Sequence, residues 1–140
     1  MAVVWLVVSG GVMVLAKMYL QKPETTPAPP GERIIAKFAV TFKRGTADMM
    51  AYSQADLERR IVELELSTNP ERRVKIIGHI SPGSSPLQEE DLTRRQIETV
   101  RGFMLPRGVR DSCITREPTK DPDENGTYGG VTVVVTEKAQ

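Results

Sequence analysis

Residues 73–109 read R-V-K-I-I-G-H-I-S-P-G-S-S-P-L-Q-E-E-D-L-T-R-R-Q-I-E-T-V-R-G-F-M-L-P-R-G-V. Val74, Ile76, Gly78 and Ile80 alternate with Lys75, Ile77 and His79, so the spacing predicts a strand over 73–80 with apolar residues on both faces. Pro82, Gly83, Ser84, Ser85 and Pro86 can continue neither a strand nor a helix and mark a turn. Leu92, Gln96, Val100, Phe103 and Met104 then recur at helical spacing. Pro106 and Gly108 end that helix, with Gly108 placed for the left-handed residue of a C-cap.

The same residues carry a resemblance. Gly78-His79-Ile80-Ser81, Gly83, Leu92-Thr93, Val100, Phe103-Met104 and Gly108-Val109 resemble the central motif of the OmpA C-terminal-like family. That motif runs Gly-His-Thr-Asp, Gly, Asn-x-x-Leu-Ser-x-x-Arg-Ala-x-x-Val, an aromatic-Leu pair and Gly-Val. The resemblance covers about residues 34–137 and implies an α+β fold of order β-α-β-α-β-β, with two helices on one face of a small mixed sheet. It also implies a periplasmic domain, since family members usually anchor to peptidoglycan from that side.

Outward from the motif, Ile34–Phe42 reads as the first strand, with Phe38, Val40 and Phe42 on one face. Lys43-Arg44-Gly45-Thr46 follows as a loop. Ser53 is the expected start of the first helix, because Ser53-x-x-Asp56 resembles a capping box. Leu57, Ile61 and Leu64 form its apolar stripe, and Asn69-Pro70 is the expected stop. Downstream, Ser112–Thr115 reads as a short strand, Lys120–Gly130 as a polar loop, and Val131–Thr136 as the last strand.

The family grips the diaminopimelate end of the peptidoglycan stem with an Asp two places after the motif His and an Arg three places after the motif Ser. Ser81 and Gln96 stand at those places, and Glu89 replaces the family's Asn. His79, Ser81, Glu89 and Gln96 are thus the family-equivalent ligand positions, with the three polar ones changed. Glu117-Pro118-Thr119 and Tyr128-Gly129-Gly130 stand where the family has Gly-x-Gly and Asn-Arg-Arg. The resemblance therefore carries the scaffold further than the ligand. His79, the one histidine, has no nucleophile or acid partner in the sequence and reads as a structural strand-end residue. Glu89-Glu90-Asp91 suits a helix N-terminus through the helix dipole. No enzyme, cofactor or metal site is expected.

Ahead of this domain, Ala2–Ala16 carries no charge, and Lys17 alone interrupts the run to Leu20. A helix of that length spans roughly 28 Å, close to a bilayer's hydrocarbon core. Trp5 and Tyr19 stand near its two ends as interfacial aromatics do. Residues 1–20 are expected as an uncleaved single-pass anchor in the bacterial inner membrane; a cleaved signal peptide is the competing reading, with Val14-Leu15-Ala16 as its faint cleavage site. Lys17 and Lys22 alone favour a cytoplasmic domain, whereas the family resemblance places the domain in the periplasm. The span lacks Asp, Glu and His, which sets it apart from the stator proteins that relay protons through such a residue. Residues 21–33 contain Pro23, Pro27, Pro29 and Pro30 and form a spacer of up to roughly 37 Å. Residues 34–140 make the domain.

The net charge of +1 and the small count of aromatics (one Trp, three Tyr, three Phe) argue against nucleic acid as a partner. The single Cys113 excludes an internal disulfide. The expected partners are the inner membrane and proteins of an envelope assembly of secretion or conjugation type. Peptidoglycan is the disfavoured alternative.

Overall fold

The computed structural model describes residues 31–83 and 85–138; the expected anchor and nearly all of the expected linker lie outside them. The elements follow in the order β1 (Glu32–Val40), α1 (Ala51–Glu63), β2 (Arg72–His79), α2 (Pro86–Met104), β3 (Ile114–Thr119) and β4 (Val131–Lys138). The sheet order is β1-β4-β2-β3. β4 runs antiparallel to both neighbours, while β2 and β3 are parallel and joined through α2. A mixed four-stranded sheet with two helices is the α+β architecture expected from the sequence.

β4 is central, and Val131 to Val135 are buried without a break. Val131, Val133 and Val135 join Phe38, Val40, Leu57, Ile61, Val74, Ile76, Ile97, Val100 and Met104 in one core. Each such aliphatic side chain contributes roughly 1.5–3 kcal/mol by leaving water. Thr132 and Val134 point to the opposite face by strand alternation. They are buried there as well, because the Lys120–Gly130 loop returns over that side. Lys37 pairs with Glu124 at 2.6 Å, and His79 holds the Asp121 carbonyl.

Gly78 fixes how closely α2 can approach. A Cβ there would run into Thr93 Cγ2 and come within 2.9 Å of Ile97 Cδ1. The glycine of the motif is therefore a packing requirement for the helix that follows it.

Several boundaries differ from the expectation. α1 begins at Ala51 after Met50, with no side-chain cap. Ser53 lies buried inside its first turn, where its Oγ accepts the Thr41 N–H at 2.9 Å, so it closes the end of β1 and forms no capping box. Helix α1 stops at Glu63, well before Asn69-Pro70. Glu65 takes a left-handed φ of 55°, while Glu65 N–H reaches the Val62 carbonyl and Leu66 N–H the Ile61 carbonyl. This is a Schellman ending with Glu in the place usually held by Gly. Leu66 then enters the core as well, while Leu64 packs against it half-buried. In α2 the buried stripe is Thr93, Gln96, Ile97, Val100 and Met104, with Leu92 and Phe103 half-exposed. Gly108, at φ 95°, caps a short 3-10 turn (Leu105–Arg107) that extends α2. Asp111–Cys113 is a second 3-10 turn, so β3 starts only at Ile114 and runs through Pro118. Proline is tolerated because β3 is an edge strand. The last strand runs on to Lys138 and the first ends at Val40, leaving Phe42 in a single bridge to Met49.

Candidate functional site

The register sets Val40 beside Val131, Val131 beside Gly78, and His79 beside Thr119. The C-terminal ends of β1, β2 and β3 and the start of β4 thus lie together at one end of the sheet. The 41–50 loop, the turn after β2, the start of α2 and the 120–130 loop all leave from this end. It holds every family-equivalent position, so the candidate site is read here.

His79 is 6% exposed and points away from the helices. Its Nδ1 lies 2.9 Å from the Asp121 carbonyl, and its Nε2 lies 2.7 Å from Thr132 Oγ1. A carbonyl only accepts, so Nδ1 donates; in the neutral ring Nε2 then accepts the Thr132 hydroxyl proton. Both ring nitrogens are committed. The histidine ties β2 to β4 and to the returning loop, which is the structural role expected of it. Around it, His79 N–H bonds the Gly130 carbonyl at 3.0 Å and Gly129 N–H bonds the His79 carbonyl at 2.8 Å.

Ser81 is half-buried in the turn after β2. Its carbonyl accepts Gly83 N–H at 2.9 Å. Its Oγ stands 3.0 Å from where a Cβ on Gly129 would sit, so the serine abuts the loop before β4.

Glu89 is half-buried in the first turn of α2. Its side chain folds back across Gly83, with Cγ and Cδ both 2.8 Å from the place a Cβ would take. The missing side chain of Gly83 is what lets the carboxylate lie there.

Gln96 is 2% exposed. Its Nε2 donates to the Thr46 carbonyl at 2.9 Å, and its Oε1 has no partner among the described residues. Since Thr46 offers an acceptor, the amide orientation is fixed and the orphaned atom is the acceptor. The loop that Gln96 holds is compact. Lys43 N–H bonds the Asp48 carbonyl at 2.8 Å, Thr46 N–H bonds the Lys43 carbonyl at 2.9 Å, and Asp48 N–H reaches Thr46 Oγ1 at 3.1 Å. Met49 and Phe42 anchor its base in the core.

The four positions are therefore not gathered into one open pocket. Ser81 and Glu89 flank the same turn, Gln96 faces the 41–50 loop, and His79 faces the far side of the sheet. Thr46, Asp121, Thr132 and Gly129 are the partners that sequence reasoning missed. Two of them act through backbone carbonyls, which leave no mark on side-chain identity. A separate open cleft of about 470 Å³ is lined by Lys43, Asp48, Met49, Gln54, Thr99, Gly102 and Phe103 and contains none of the four. Among the described residues no helix is long and apolar enough to cross a membrane.

No protein-family model matches the sequence, and no curated protein matches it. Solved structures do. The OmpA-like domain of FopA1 from Francisella tularensis superposes with a TM-score of 0.59 at 13% identity, over 81% of this chain and 79% of that one. The peptidoglycan-associated lipoprotein from Burkholderia pseudomallei gives 0.57 at 20% identity, over 71% and 89%. The periplasmic domain of Helicobacter pylori MotB gives 0.55 at 9% identity, over 74% and 81%. At these identities the likeness is one of fold.

Proposed function

We propose, on the premise that this chain has an OmpA C-terminal-like fold, that it is a membrane-anchored scaffold module of the bacterial periplasm that has given up the diaminopimelate site. Residues 1–20 serve as the inner-membrane anchor, 21–33 as the spacer and 34–140 as the domain. Its partners are proteins of an envelope assembly of secretion or conjugation type.

The observation that carries this reading is Gln96. At the position where the family uses an Arg against a carboxylate, an uncharged side chain is buried and spends its donor on Thr46. An Arg–carboxylate pair is a charge-assisted, bidentate bond, and an already engaged amide does not replace it. Ser81 lacks the charge that would hold the ligand's ammonium, and Glu89 brings a negative charge toward the ligand's carboxylates. A non-enzymatic role is supported by His79, whose two ring nitrogens are both engaged.

The test is in-cell photocrosslinking from positions Leu87 and Tyr128, exposed side chains near this end of the sheet. Defined protein adducts are expected. Adducts only to glycan-peptide fragments would contradict the reading. A phosphatase fused after Gln140 is expected to be active in the periplasm; activity only of a cytoplasmic reporter at the same point would refute the topology.

A further inference from the structure

The chain has two asparagines, and their neighbours differ: Asn69 precedes Pro70, and Asn125 precedes Gly126. The side-chain carbonyl of an asparagine is open to attack by the backbone nitrogen of the next residue. Proline has no N–H to give up, whereas glycine has one and no side chain to screen it. Asn125 and Gly126 are both exposed in the 120–130 loop. A Cβ on Gly126 would meet nothing within 4 Å, so the space beside it is open. Among the described residues the Asn125 side-chain amide makes no hydrogen bond; only its backbone N–H is held.

What restrains this pair is one residue. Asp123 Oδ1 accepts Asn125 N–H at 2.9 Å and Thr127 N–H at 2.8 Å. The Asp123 carbonyl accepts Gly126 N–H at 2.9 Å, and Asp123 N–H donates to the Thr127 carbonyl at 2.9 Å. All four bonds have Asp123 at one end, and the third engages the nitrogen that would attack. Gly126 sits at a φ of 77°, which glycine takes without strain. Exposed backbone bonds in a loop open locally at little cost in free energy. The clasp therefore slows the attack without abolishing it.

We propose that Asn125 is a site of spontaneous deamidation whose rate is set by the Asp123 clasp. When the turn opens, the Gly126 nitrogen loses its proton to solvent hydroxide and attacks Asn125 Cγ. The new N–Cγ bond closes a five-membered succinimide, the Cγ–Nδ2 bond breaks, and ammonia leaves with a proton taken from water. Water then opens the ring at either carbonyl and leaves aspartate or isoaspartate. One water is consumed and one ammonia released, with no change of oxidation state. Isoaspartate adds a methylene to the main chain, so Asp123 Oδ1 no longer reaches both the 125 and the 127 amides. The new carboxylate also stands beside Glu124, in a loop that already holds Asp121 and Asp123. That loop is fastened to the sheet by the Asp121 carbonyl on His79 and by the Glu124–Lys37 pair. Conversion at Asn125 thus loosens the cover over Thr132 and Val134.

The test incubates the full chain in detergent at neutral pH and follows the peptides that contain Asn125 and Asn69 by mass spectrometry. Exchange of the side-chain NH2 for OH is expected at Asn125 and not at Asn69, with isoaspartate recognised by its resistance to an aspartate-directed protease. Conversion should be slower in the folded chain than in urea. Asp123→Ala should speed it about tenfold, whereas Asp123→Asn, which keeps the side-chain acceptor, should convert at Asn125 near the wild-type rate. In the converted protein the Gly129 amide, which donates to the His79 carbonyl, should exchange faster with solvent. No conversion of the folded wild type, equal rates in the folded and the urea-unfolded chain, or equal rates for wild type and Asp123→Ala would overturn the proposal.

Discussion

Replacing Gln96 by Met should not destabilise the fold, although it deletes a buried hydrogen bond. The side chain is similar in length and volume, and a volume-conserving change is tolerated best in a packed site. Two contributions then oppose each other. Losing the bond from Nε2 to the Thr46 carbonyl costs about 0.5–1.5 kcal/mol. Removing Oε1, which is buried without a donor among the described residues, recovers about 1–3 kcal/mol of desolvation. The Thr46 carbonyl sits in a half-exposed loop residue that water can reach, so it does not inherit the full penalty. The balance runs from about 0.5 kcal/mol against the variant to about 2.5 kcal/mol in its favour. Urea denaturation reads this directly: with a slope of about 1–3 kcal/mol per molar, the midpoint should fall by no more than about 0.5 M and can rise by up to about 2.5 M. The loop should loosen at the same time, so the Lys43 and Thr46 amides, which close it, should exchange faster with solvent. A midpoint lowered by more than about 0.5 M, with an unchanged slope, would refute the reasoning, because it would mean that Oε1 already has a donor.

Ile61→Ala should cost about 2–5 kcal/mol in the same assay, since Ile61 is buried between α1 and the sheet; an unchanged midpoint would mean that α1 does not pack there. Gly78→Ala should cost about 1–3 kcal/mol through the collision with Thr93 and Ile97, and thermal melting checks it. The Arg33 and Arg72 guanidinia beside Glu137 hold its carboxyl below the ordinary value near 4.5. A depressed folded value means that this contribution is fully present above the ordinary value and is lost as pH falls through the folded one. Melting temperatures of wild type and Glu137→Gln should therefore differ at neutral pH and converge in acid; a gap that persists at about pH 2 would contradict the assignment.

Much of the fold was legible because its strongest signals are local. The alternation from Val74 to Ile80, the breakers from Pro82 to Pro86 and the valine run of β4 each leave one solution. Where the reading missed, the cause lies in chemistry that side-chain identity hides. The end of α1 is set by Glu65 in a left-handed conformation, which sequence reasoning reserves for glycine. Ser53 looks like a cap, but its hydroxyl goes to a strand end twelve residues back. Pro118 argues against a strand until β3 is known to be an edge. At the candidate site the sequence exposed the substitutions at Ser81, Glu89 and Gln96, whereas what Gln96 does depends on the Thr46 carbonyl fifty residues away. That long-range backbone contact has no sequence signature.

The central claim is that this end of the fold no longer holds the cell-wall peptide. Purified chain, in detergent, is mixed with isolated diaminopimelate-type sacculi and sedimented. The account predicts that the protein stays in the supernatant at all sacculus concentrations. Saturable co-sedimentation that free meso-diaminopimelate abolishes would contradict it.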